Sequence, residues 1–345
     1  MKAGPGRADK PWRLEIEGQT VMRTATLGPL GEVSRLTLGG GGIGQIWGEN
    51  TKDEALATLT AAIDGGITVL DAAPMYRNCE AFIGEVFGGR LPAGVKVTTK
   101  HQLGSPPASE VASRLEQSLN DSLAAMKLDR VDLFFLHSNI HLDCFSYAHG
   151  DAHKDGFSTR WSLYAGEVAP AMARLKAQGR IGAWGITGIG VPTAVLQAID
   201  HAPSPDVVQA IANLMDSPGA LRRYAEPARP REVAAAAKAR GLGVMGIRAV
   251  QAGALTSGVD RPLSANNPDN TDFTRAAPFR ALCASWGEDP AVVAHRYALG
   301  MPNIDTVVLG VKNRAELAQC LAAEAAGPLE PGQLAAIDGL GLAEG

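Results

Sequence analysis

The apolar positions of the chain form short continuous runs rather than an alternating pattern. Runs of this kind, rich in β-branched residues, are typical of strands that are buried on both faces of a parallel sheet. Eight runs fit this description. The predicted strands are 34–38, 67–70, 95–99, 131–136, 181–186, 206–210, 242–247 and 305–309.

The segments between these runs carry helix-like patterns with start and stop signals. Thr51 stands three residues before Glu54, the spacing of a capping box, and Gly179 follows a helical stretch where a C-cap is favoured. The predicted helices are 51–63, 79–87, 108–126, 163–178, 192–200, 231–240, 290–299, 314–325 and 331–337. Eight strands, each followed by a helix, predict an α/β fold of the (β/α)8 TIM barrel type, because a doubly wound sheet usually stops near about six strands.

The chain shows no linker or break in composition, so we predict a single folded domain. We expect an N-terminal tail over residues 1–22 and the barrel over residues 23–345. The two longest stretches without a periodic pattern, 138–162 and 251–280, follow the fourth and seventh strands. Loops of this length are usually functional or disordered, and both are predicted to lie on the face of the barrel where active sites form.

Composition excludes several classes of protein. The 345 residues contain 32 Lys+Arg and 36 Asp+Glu, and a net charge of −4 offers no basic surface for nucleic acid or anionic lipid. We find no apolar run that would span a membrane and no secretory signal near the start. The four cysteines lack C-x-x-C spacing, which favours free thiols and a cytoplasmic location. Oligomeric state stays open.

Three ionisable residues stand directly after three consecutive predicted strands. Asp71 follows the second strand, Lys100 the third and His137 the fourth. Because a barrel gathers the C-terminal ends of its strands at one rim, we expect these side chains to lie close together. One such residue is usually an ordinary polar group at a strand end. Three in succession favour a function, since a buried Lys100 needs a partner and Asp71 would supply one.

Tyr76 lies five residues after Asp71, on the loop that leads into the next helix. A nearby ammonium group favours the phenolate and lowers the pKa of a tyrosine from about 10. With Lys100 beside it, Tyr76 would act as a proton donor and acceptor near neutral pH. The alternative interpretation of Tyr76 is a surface aromatic residue in a turn.

Three segments give these residues a family context: LDAAPMYRNCEAFIGEVF at 70–87, VTTK at 97–100 and SLNDSLAAMKLDRVDLFFLH at 118–137. Together they resemble the aldo-keto reductase family. The resemblance extends from TLGPLGEVSRLTLGG at 26–40 to VVLGVKNRAELAQCLAA at 307–323. It implies a (β/α)8 barrel that binds NADP(H) or NAD(H) and interconverts carbonyls and alcohols.

The resemblance also implies a catalytic tetrad of Asp71, Tyr76, Lys100 and His137. The nicotinamide would deliver hydride to a carbonyl carbon while Tyr76 delivers a proton to the oxygen. Lys100, held by Asp71, would tune Tyr76, and His137 would orient the carbonyl or share the proton. Asp71 is also counted among the cofactor-binding residues. The cofactor carries the chemistry in such a scheme and the protein positions it.

Further cofactor contacts follow from the same resemblance. Gly40 and Gly41 fall where the backbone approaches the nicotinamide, and Gln209 matches a glutamine that binds the carboxamide. Thr187 and Gly188 stand where the family usually has Ser-Asn, so the hydroxyl is kept and the amide is missing.

Ile247 stands where an aromatic residue commonly stacks on the nicotinamide, and Arg248 replaces a small hydroxyl residue. Lys312, in the loop that begins at Gly310, aligns with a position that contacts the adenosine 2′-phosphate, and Glu316 could oppose that phosphate. A helix N-terminus with cations suits a phosphate group. We therefore predict NADP(H) as the favoured cofactor and NAD(H) as the alternative.

Trp47 and His101 are predicted to line the substrate pocket together with His137, although packing alone would explain either residue. The substrate is expected to be a small carbonyl compound or alcohol whose identity the loops do not reveal.

Two other patterns are discounted. The glycines at 39, 41 and 44 satisfy the dinucleotide fingerprint G-x-G-x-x-G, but residues 47–50 interrupt the entry into a helix and eight strands exceed the Rossmann pattern. The His, Asp and Cys residues between 137 and 153 are potential ligands for a transition metal. Their spacing is irregular, so no metal site is predicted.

Two alternatives to an active reductase remain on this fold. A non-catalytic nicotinamide-binding subunit or sensor could lose tetrad members freely, and the presence of all four favours the enzyme. A lyase that forms a Schiff base on Lys100 should lack a tight carboxylate partner and a neighbouring tyrosine.

Overall fold

A computed structural model of the chain describes residues 22–48, 50–147, 151–259 and 261–343. Of the predicted tail 1–22, only Met22 falls within the described residues, and it packs partly buried against the core. The strands, in chain order, are β1 (Thr24–Thr26), β2 (Glu32–Ser34), β3 (Leu36–Gly39), β4 (Val69–Asp71), β5 (Lys96–His101), β6 (Val131–Leu136), β7 (Asn139–His141), β8 (Ser158–Arg160), β9 (Ile181–Thr187), β10 (Val207–Ile211), β11 (Gly243–Ile247) and β12 (Thr306–Leu309).

Helices occupy most of the intervening segments. They are α1 (Gly40–Ile43), α2 (Lys52–Asp64), α3 (Cys79–Phe87), α4 (Val111–Met126), α5 (Lys154–Phe157), α6 (Trp161–Leu163), α7 (Ala169–Ala177), α8 (Pro192–Asp200), α9 (Pro230–Ala239), α10 (Pro268–Arg275), α11 (Ala277–Trp286), α12 (Pro290–Gly300), α13 (Arg314–Ala325) and α14 (Pro331–Asp338). No helix in the described part of the chain is long and apolar enough to cross a membrane.

Eight of the strands close into a parallel barrel, in the order β3-β4-β5-β6-β9-β10-β11-β12 and back to β3. These are the eight runs that the sequence predicted, so the (β/α)8 TIM barrel is confirmed. Both faces of most barrel strands are buried, because helices cover the outside and side chains fill the inside. The register places Asp71 opposite Thr98 on β5, and Lys100 opposite Phe135 on β6.

The hairpin of β1 and β2 closes the N-terminal end of the barrel. Leu27 and Val33 belong to one interior apolar cluster with barrel residues such as Val69 and Phe135. Two ion pairs lie at this end: Lys176 binds Asp206 just before β10 at 2.7 Å, and Lys238 binds Asp305 just before β12 at 2.8 Å. We call this end the lower face.

The two long loops after β6 and β11 are more structured than the sequence predicted. The first contains β7 and β8, which pair in parallel, and the second contains α10 and the start of α11. The β7–β8 pairing joins residues that are far apart along the chain, so a local pattern does not reveal it. For α10 a signal was present, since Asn267 caps the helix and Pro268 occupies its first position.

Two local predictions at the first barrel loop need correction. Thr51 does cap α2, and its Oγ1 accepts from the Glu54 amide at 3.2 Å, but the Glu54 carboxylate binds Arg314 instead of closing the capping box. The second prediction was that residues 47–50 interrupt the entry into a helix after the first strand. In the structure a helical turn, α1, follows β3 directly. The longer helix α2 begins only at Lys52.

Candidate active site

The structure brings the four predicted tetrad residues together at the C-terminal rim of the barrel. Asp71 ends β4 and Lys100 lies near the end of β5. His137 directly follows β6, where its amide donates to the His101 carbonyl at 2.8 Å. Tyr76 closes a 3-10 turn between β4 and α3. Three neighbouring strands therefore supply the whole group.

A buried ion pair forms the base of the site. Lys100 Nζ lies 2.7 Å from Asp71 Oδ2, and the two side chains are 0% and 2% exposed. Lys100 also donates to the Ala72 carbonyl at 3.0 Å. The other oxygen of Asp71 accepts from Thr98 Oγ1 at 2.6 Å and from Gln209 Nε2 at 3.1 Å. Both charges are thus satisfied, which a buried pair requires to be tolerated.

Tyr76 contacts the Lys100 side of this pair. Lys100 Nζ donates to the Tyr76 hydroxyl at 3.4 Å and lies 4.7 Å from the centre of its ring. His137 approaches the same ring edge-on, with 5.8 Å between the ring centres. A small molecule that reached the Tyr76 hydroxyl would therefore also lie near an imidazole.

The electrostatics keep Lys100 charged. Burial by itself would lower the pKa of Lys100, but the contacts with Asp71 and Tyr76 more than compensate and raise it. Burial raises the pKa of Tyr76, and Lys100 only partly opposes this rise. The predicted sign of the Lys100 effect is therefore right. The expectation of a net lowering of the pKa of Tyr76 is wrong, because loss of hydration outweighs the ammonium group.

His137 is uncharged near neutral pH. Burial lowers its pKa to about 3, and the charges of Lys100 and His101 act in the same direction. A neutral imidazole donates or accepts a hydrogen bond but does not carry an extra proton. Of the two predicted roles of His137, the geometry and charge therefore support orientation of a carbonyl more than proton sharing.

Glycines let the first barrel loop approach the tetrad. A Cβ on Gly40 would lie 2.3 Å from Cys79 Sγ and 3.1 Å from the Tyr76 ring. A Cβ on Gly41 would lie 2.3 Å from the indole nitrogen of Trp47. Neither position has room for a side chain, so the backbone itself borders the site at the predicted cofactor positions.

The predicted carboxamide contacts also converge on the mouth of the barrel. Gln209 on β10 is 3% exposed and reaches Asp71, while Thr187 ends β9 and is 1% exposed. The Thr187 hydroxyl donates to the Leu136 carbonyl at 3.3 Å. A side-chain amide and a hydroxyl beside the tetrad are suitable groups for a carboxamide, so this end of the site fits a nicotinamide.

The residues after β11 behave differently from the prediction. Ile247 ends β11 and is half-buried at the rim. Arg248, predicted to contact the cofactor, instead donates from Nη2 to Asp269 Oδ1 at 2.7 Å and from Nε to Gln251 Oε1 at 2.9 Å. Its guanidinium is thus engaged by protein groups, and its backbone has a positive φ of 61°.

The predicted phosphate-binding loop carries an internal ion pair. Gly310, at the start of this loop, is exposed. Lys312 Nζ lies 2.8 Å from Glu316 Oε1, and the Lys312 amide donates to the other oxygen of Glu316 at 2.9 Å. A 2′-phosphate at Lys312 would therefore have to compete with Glu316.

The predicted substrate residues Trp47 and His101 come from different parts of the chain, the loop after β3 and the end of β5. Trp47 is 36% exposed, and the guanidinium carbon of Arg261 lies 5.4 Å from its ring centre. His101 ends β5, and burial lowers its pKa to about 4 with a smaller effect from Arg114.

Thr98 is a site residue that the sequence analysis missed. It binds the same carboxylate as Lys100 and lies two residues before it on β5. Because alternate residues of a strand share one face, the VTTK segment contained the signal.

The stretch 137–153 provides no metal site that the structure shows. Within the described ranges, no three His, Cys, Asp or Glu side chains are placed to hold a metal ion. His149 lies outside the described residues.

The parallel barrel thus places a buried Lys–Asp pair beside a tyrosine hydroxyl at its C-terminal rim. Comparison with known proteins gives the family. The family model described as "Aldo/keto reductase family" matches residues 35–341. The chain belongs to the aldo/keto reductase family, and it is an oxidoreductase that acts on carbonyl or alcohol groups.

Individual relatives are distant. L-galactose dehydrogenase from Arabidopsis thaliana is 24% identical over 311 residues, which cover 88% of each chain. 6-Dehydroglucose reductase from Novosphingobium aromaticivorans is 33% identical over 98 residues, or 25% of this chain and 32% of that protein. Among solved structures, glycerol dehydrogenase AKR11B4 from Gluconobacter oxydans and aldo-keto reductase AKR11C1 from Bacillus halodurans each superpose with a TM-score of 0.66 at 20% identity. Each match covers 92% of this chain, and 94% and 96% of the two neighbours.

Proposed function

We propose that this protein interconverts a small aldehyde or ketone and its alcohol by nicotinamide-dependent hydride transfer, with Tyr76 as the general acid and base. The contact between Lys100 and the Tyr76 hydroxyl at 3.4 Å, above the Asp71 pair, is the observation that carries this proposal. A structural lysine would need Asp71 but would have no need of the hydroxyl.

The proposed mechanism assigns one task to each side chain. When bound, the cofactor supplies or accepts the hydride. Tyr76 donates a proton to the carbonyl oxygen during reduction and removes it from the alcohol during oxidation. Lys100 stabilises the phenolate that forms, and Asp71 keeps Lys100 charged. Neutral His137 orients the substrate oxygen by a hydrogen bond.

The nicotinamide end of the cofactor would lie at the rim next to the tetrad. Gln209 and Thr187 would hold the carboxamide, while the backbone at Gly40 and Gly41 would approach the ring. Half-buried Ile247 would offer an apolar surface to it. The Ile247 contact is weaker than the stack that an aromatic residue would give.

We propose a polyhydroxylated, sugar-like molecule as the substrate class. The support comes from relatives, since the matched proteins are named for L-galactose, 6-dehydroglucose and glycerol. The rim itself offers polar neighbours for hydroxyl groups, among them His101 and His137.

We further propose NADP(H) as the preferred cofactor, with Lys312 binding the 2′-phosphate. Replacing Lys312 by alanine should weaken NADPH binding by about tenfold or more, because a charge-assisted hydrogen bond contributes about 1.5–3 kcal/mol, and should change NADH binding little. Replacing Glu316 by glutamine should strengthen NADPH binding, because Glu316 occupies Lys312 in the structure. Fluorescence titration with both cofactors measures both effects. Equal weakening of NADPH and NADH by the Lys312 variant would show that another group recognises the phosphate.

A cytoplasmic location and a small-molecule carbonyl or alcohol as the substrate are part of the same proposal. All four cysteines are free thiols, which suits a reducing compartment.

The decisive experiment follows absorbance at 340 nm with purified protein, NADPH or NADH, and a panel of aldehydes, ketones and sugar lactols. Oxidation of a cofactor by at least one carbonyl compound is the expected result. Cofactor binding without turnover on the whole panel would support the non-catalytic subunit. Trapping of a carbonyl compound on Lys100 by borohydride would instead support the Schiff-base lyase.

A further inference from the structure

A buried cluster of charges lies beneath the segment that follows β11. Two carboxylates of α10, Asp269 and Asp272, are 5% and 3% exposed. Asp269 Oδ1 accepts from Arg248 Nη2 at 2.7 Å and from the Ala220 amide at 3.1 Å. Asp272 Oδ2 accepts from Ser217 Oγ at 2.6 Å and from Gln251 Nε2 at 2.5 Å. We call these residues the α10 cluster.

The α10 cluster joins three separate parts of the chain. Arg248 and Gln251 come from the end of β11, Ser217 and Ala220 from the loop after β10, and the carboxylates from α10. Buried Asn213 completes the connection, because its amide donates to the Arg248 carbonyl and to Gln251 Oε1, each at 3.2 Å. The cluster therefore fixes the position of the β11 loop relative to the barrel rim.

Backbone strain is concentrated in the two loops that the cluster joins, after β10 and after β11. Eight non-glycine residues in the described ranges have a positive φ, and four of them, Asp216, Arg248, Gln251 and Ala252, lie in these two loops. Such conformations cost energy and persist where the surroundings impose them, often at functional sites. A Cβ on Gly219 would lie 2.1 Å from Asp269 Oδ1, so the packing around the carboxylate leaves no room for a side chain at position 219.

Asp269 also connects the cluster to the far side of the mouth. Its second oxygen lies 3.8 Å from Arg261, whose guanidinium stands over the Trp47 ring. Trp47 in turn covers Gly41 in the first barrel loop. One carboxylate thus links the end of β11 to the loop after β3, and these two segments flank β12, which lies between β11 and β3 in the barrel.

We propose that Asp269 is a positioning residue for the dinucleotide. Through Arg248 it sets the end of β11, including Ile247, and through Arg261 it holds the β11 loop towards Trp47. The cofactor then binds a preformed site and does not have to order this loop, which lowers the entropic cost of binding. This inference rests on the proposed nicotinamide function.

Asp269→Asn keeps the shape of the side chain and removes the charge that neutralises Arg248. The expected result is cofactor binding weakened by about tenfold or more, with kcat at saturating cofactor changed by less than about threefold. In the cofactor-free protein, backbone amides of residues 251–259 should exchange hydrogen at least about tenfold faster, because the loop opens more often. Fluorescence titration and hydrogen exchange with mass spectrometry measure the two effects.

Three variants complete the test. Asp269→Glu restores the charge and should recover a large part of the cofactor affinity. Arg248→Lys keeps the positive charge but loses the forked contacts, so its cofactor affinity should lie between those of the wild type and Asp269→Asn. Asp206→Asn removes another carboxylate with a lysine partner, on the lower face, and should leave both the affinity and the exchange of residues 251–259 unchanged.

Unchanged cofactor affinity in Asp269→Asn, or unchanged exchange in its β11 loop, would overturn the inference. If Asp269→Asn does not fold, the same two measurements on Arg248→Lys decide. If the wild-type protein binds neither NADPH nor NADH, the proposed function itself fails. The exchange measurement needs no cofactor. It therefore tests whether Asp269 holds the β11 loop even when the proposed function fails.

Discussion

Replacing Tyr76 by phenylalanine should lower kcat for carbonyl reduction by about 10²–10⁴-fold, the usual contribution of a general acid. The ring stays in place over Lys100, and only the hydroxyl that Lys100 contacts at 3.4 Å is lost. The affinity for the cofactor should remain close to that of the wild type, because the Tyr76 hydroxyl is not one of the predicted cofactor contacts. Steady-state kinetics and fluorescence titration on the same preparation separate the two quantities.

Tyr164→Phe is a matched control for this variant. Tyr164 is fully buried, and its hydroxyl has no hydrogen-bond partner among the residues that the structure describes. Removing that hydroxyl should therefore leave kcat unchanged. A Tyr76→Phe enzyme that kept its activity within about threefold of the wild type, well short of the usual contribution, would eliminate Tyr76 as the acid.

Replacing Asp71 by asparagine should move the pH profile of alcohol oxidation to higher pH by about one pH unit or more, the range of effects that a neighbouring charge has on a pKa. Asp71 is the charge partner of a Lys100 that is completely buried, so without it burial lowers the pKa of Lys100. A neutral Lys100 no longer favours the phenolate, and the pKa of Tyr76 rises further. Oxidation needs the phenolate, so its rate at neutral pH should fall.

The sign of this shift tests how Asp71 acts. The carboxylate also raises the pKa of Tyr76 directly, so its removal would move the profile to lower pH if Lys100 stayed charged. Lys100→Met removes the cation outright and should move the profile upward, as Asp71→Asn does. Turnover against pH in both directions distinguishes these cases. A downward shift in Asp71→Asn would contradict a role through Lys100, and Asp206→Asn on the lower face should give no shift.

The sequence was sufficient for the barrel and for the arrangement of the tetrad. Most barrel strands coincide with short apolar or β-branched runs, and Asp71 and Lys100 stand at the rim because their strands end there. Parallel strands bring such ends together whatever the details of packing. This part of the site therefore follows from local pattern and topology alone.

The direction and burial of individual side chains could not be predicted from the pattern of apolar and polar residues. Arg248 follows Ile247 directly, yet its positive φ and its contact with Asp269 on α10 direct its guanidinium into the protein. The pKa of Tyr76 likewise depends on how completely its hydroxyl loses water. The Lys312–Glu316 pair is an intermediate case. Its i,i+4 spacing was visible in the sequence, although whether the pair forms depends on the loop before α13.

The ion pairs on the lower face have a consequence for how this enzyme can change over time. Lys176–Asp206 and Lys238–Asp305 lie at the N-terminal ends of strands whose other ends carry the predicted cofactor contacts. Stabilising substitutions placed there would be separated from the reactive groups by the full length of a strand. Mutations that broaden substrate choice usually reduce stability, and a reserve built at the lower face would offset that loss. Adaptation of the rim loops to new substrates and maintenance of the fold can thus proceed in separate parts of the same barrel.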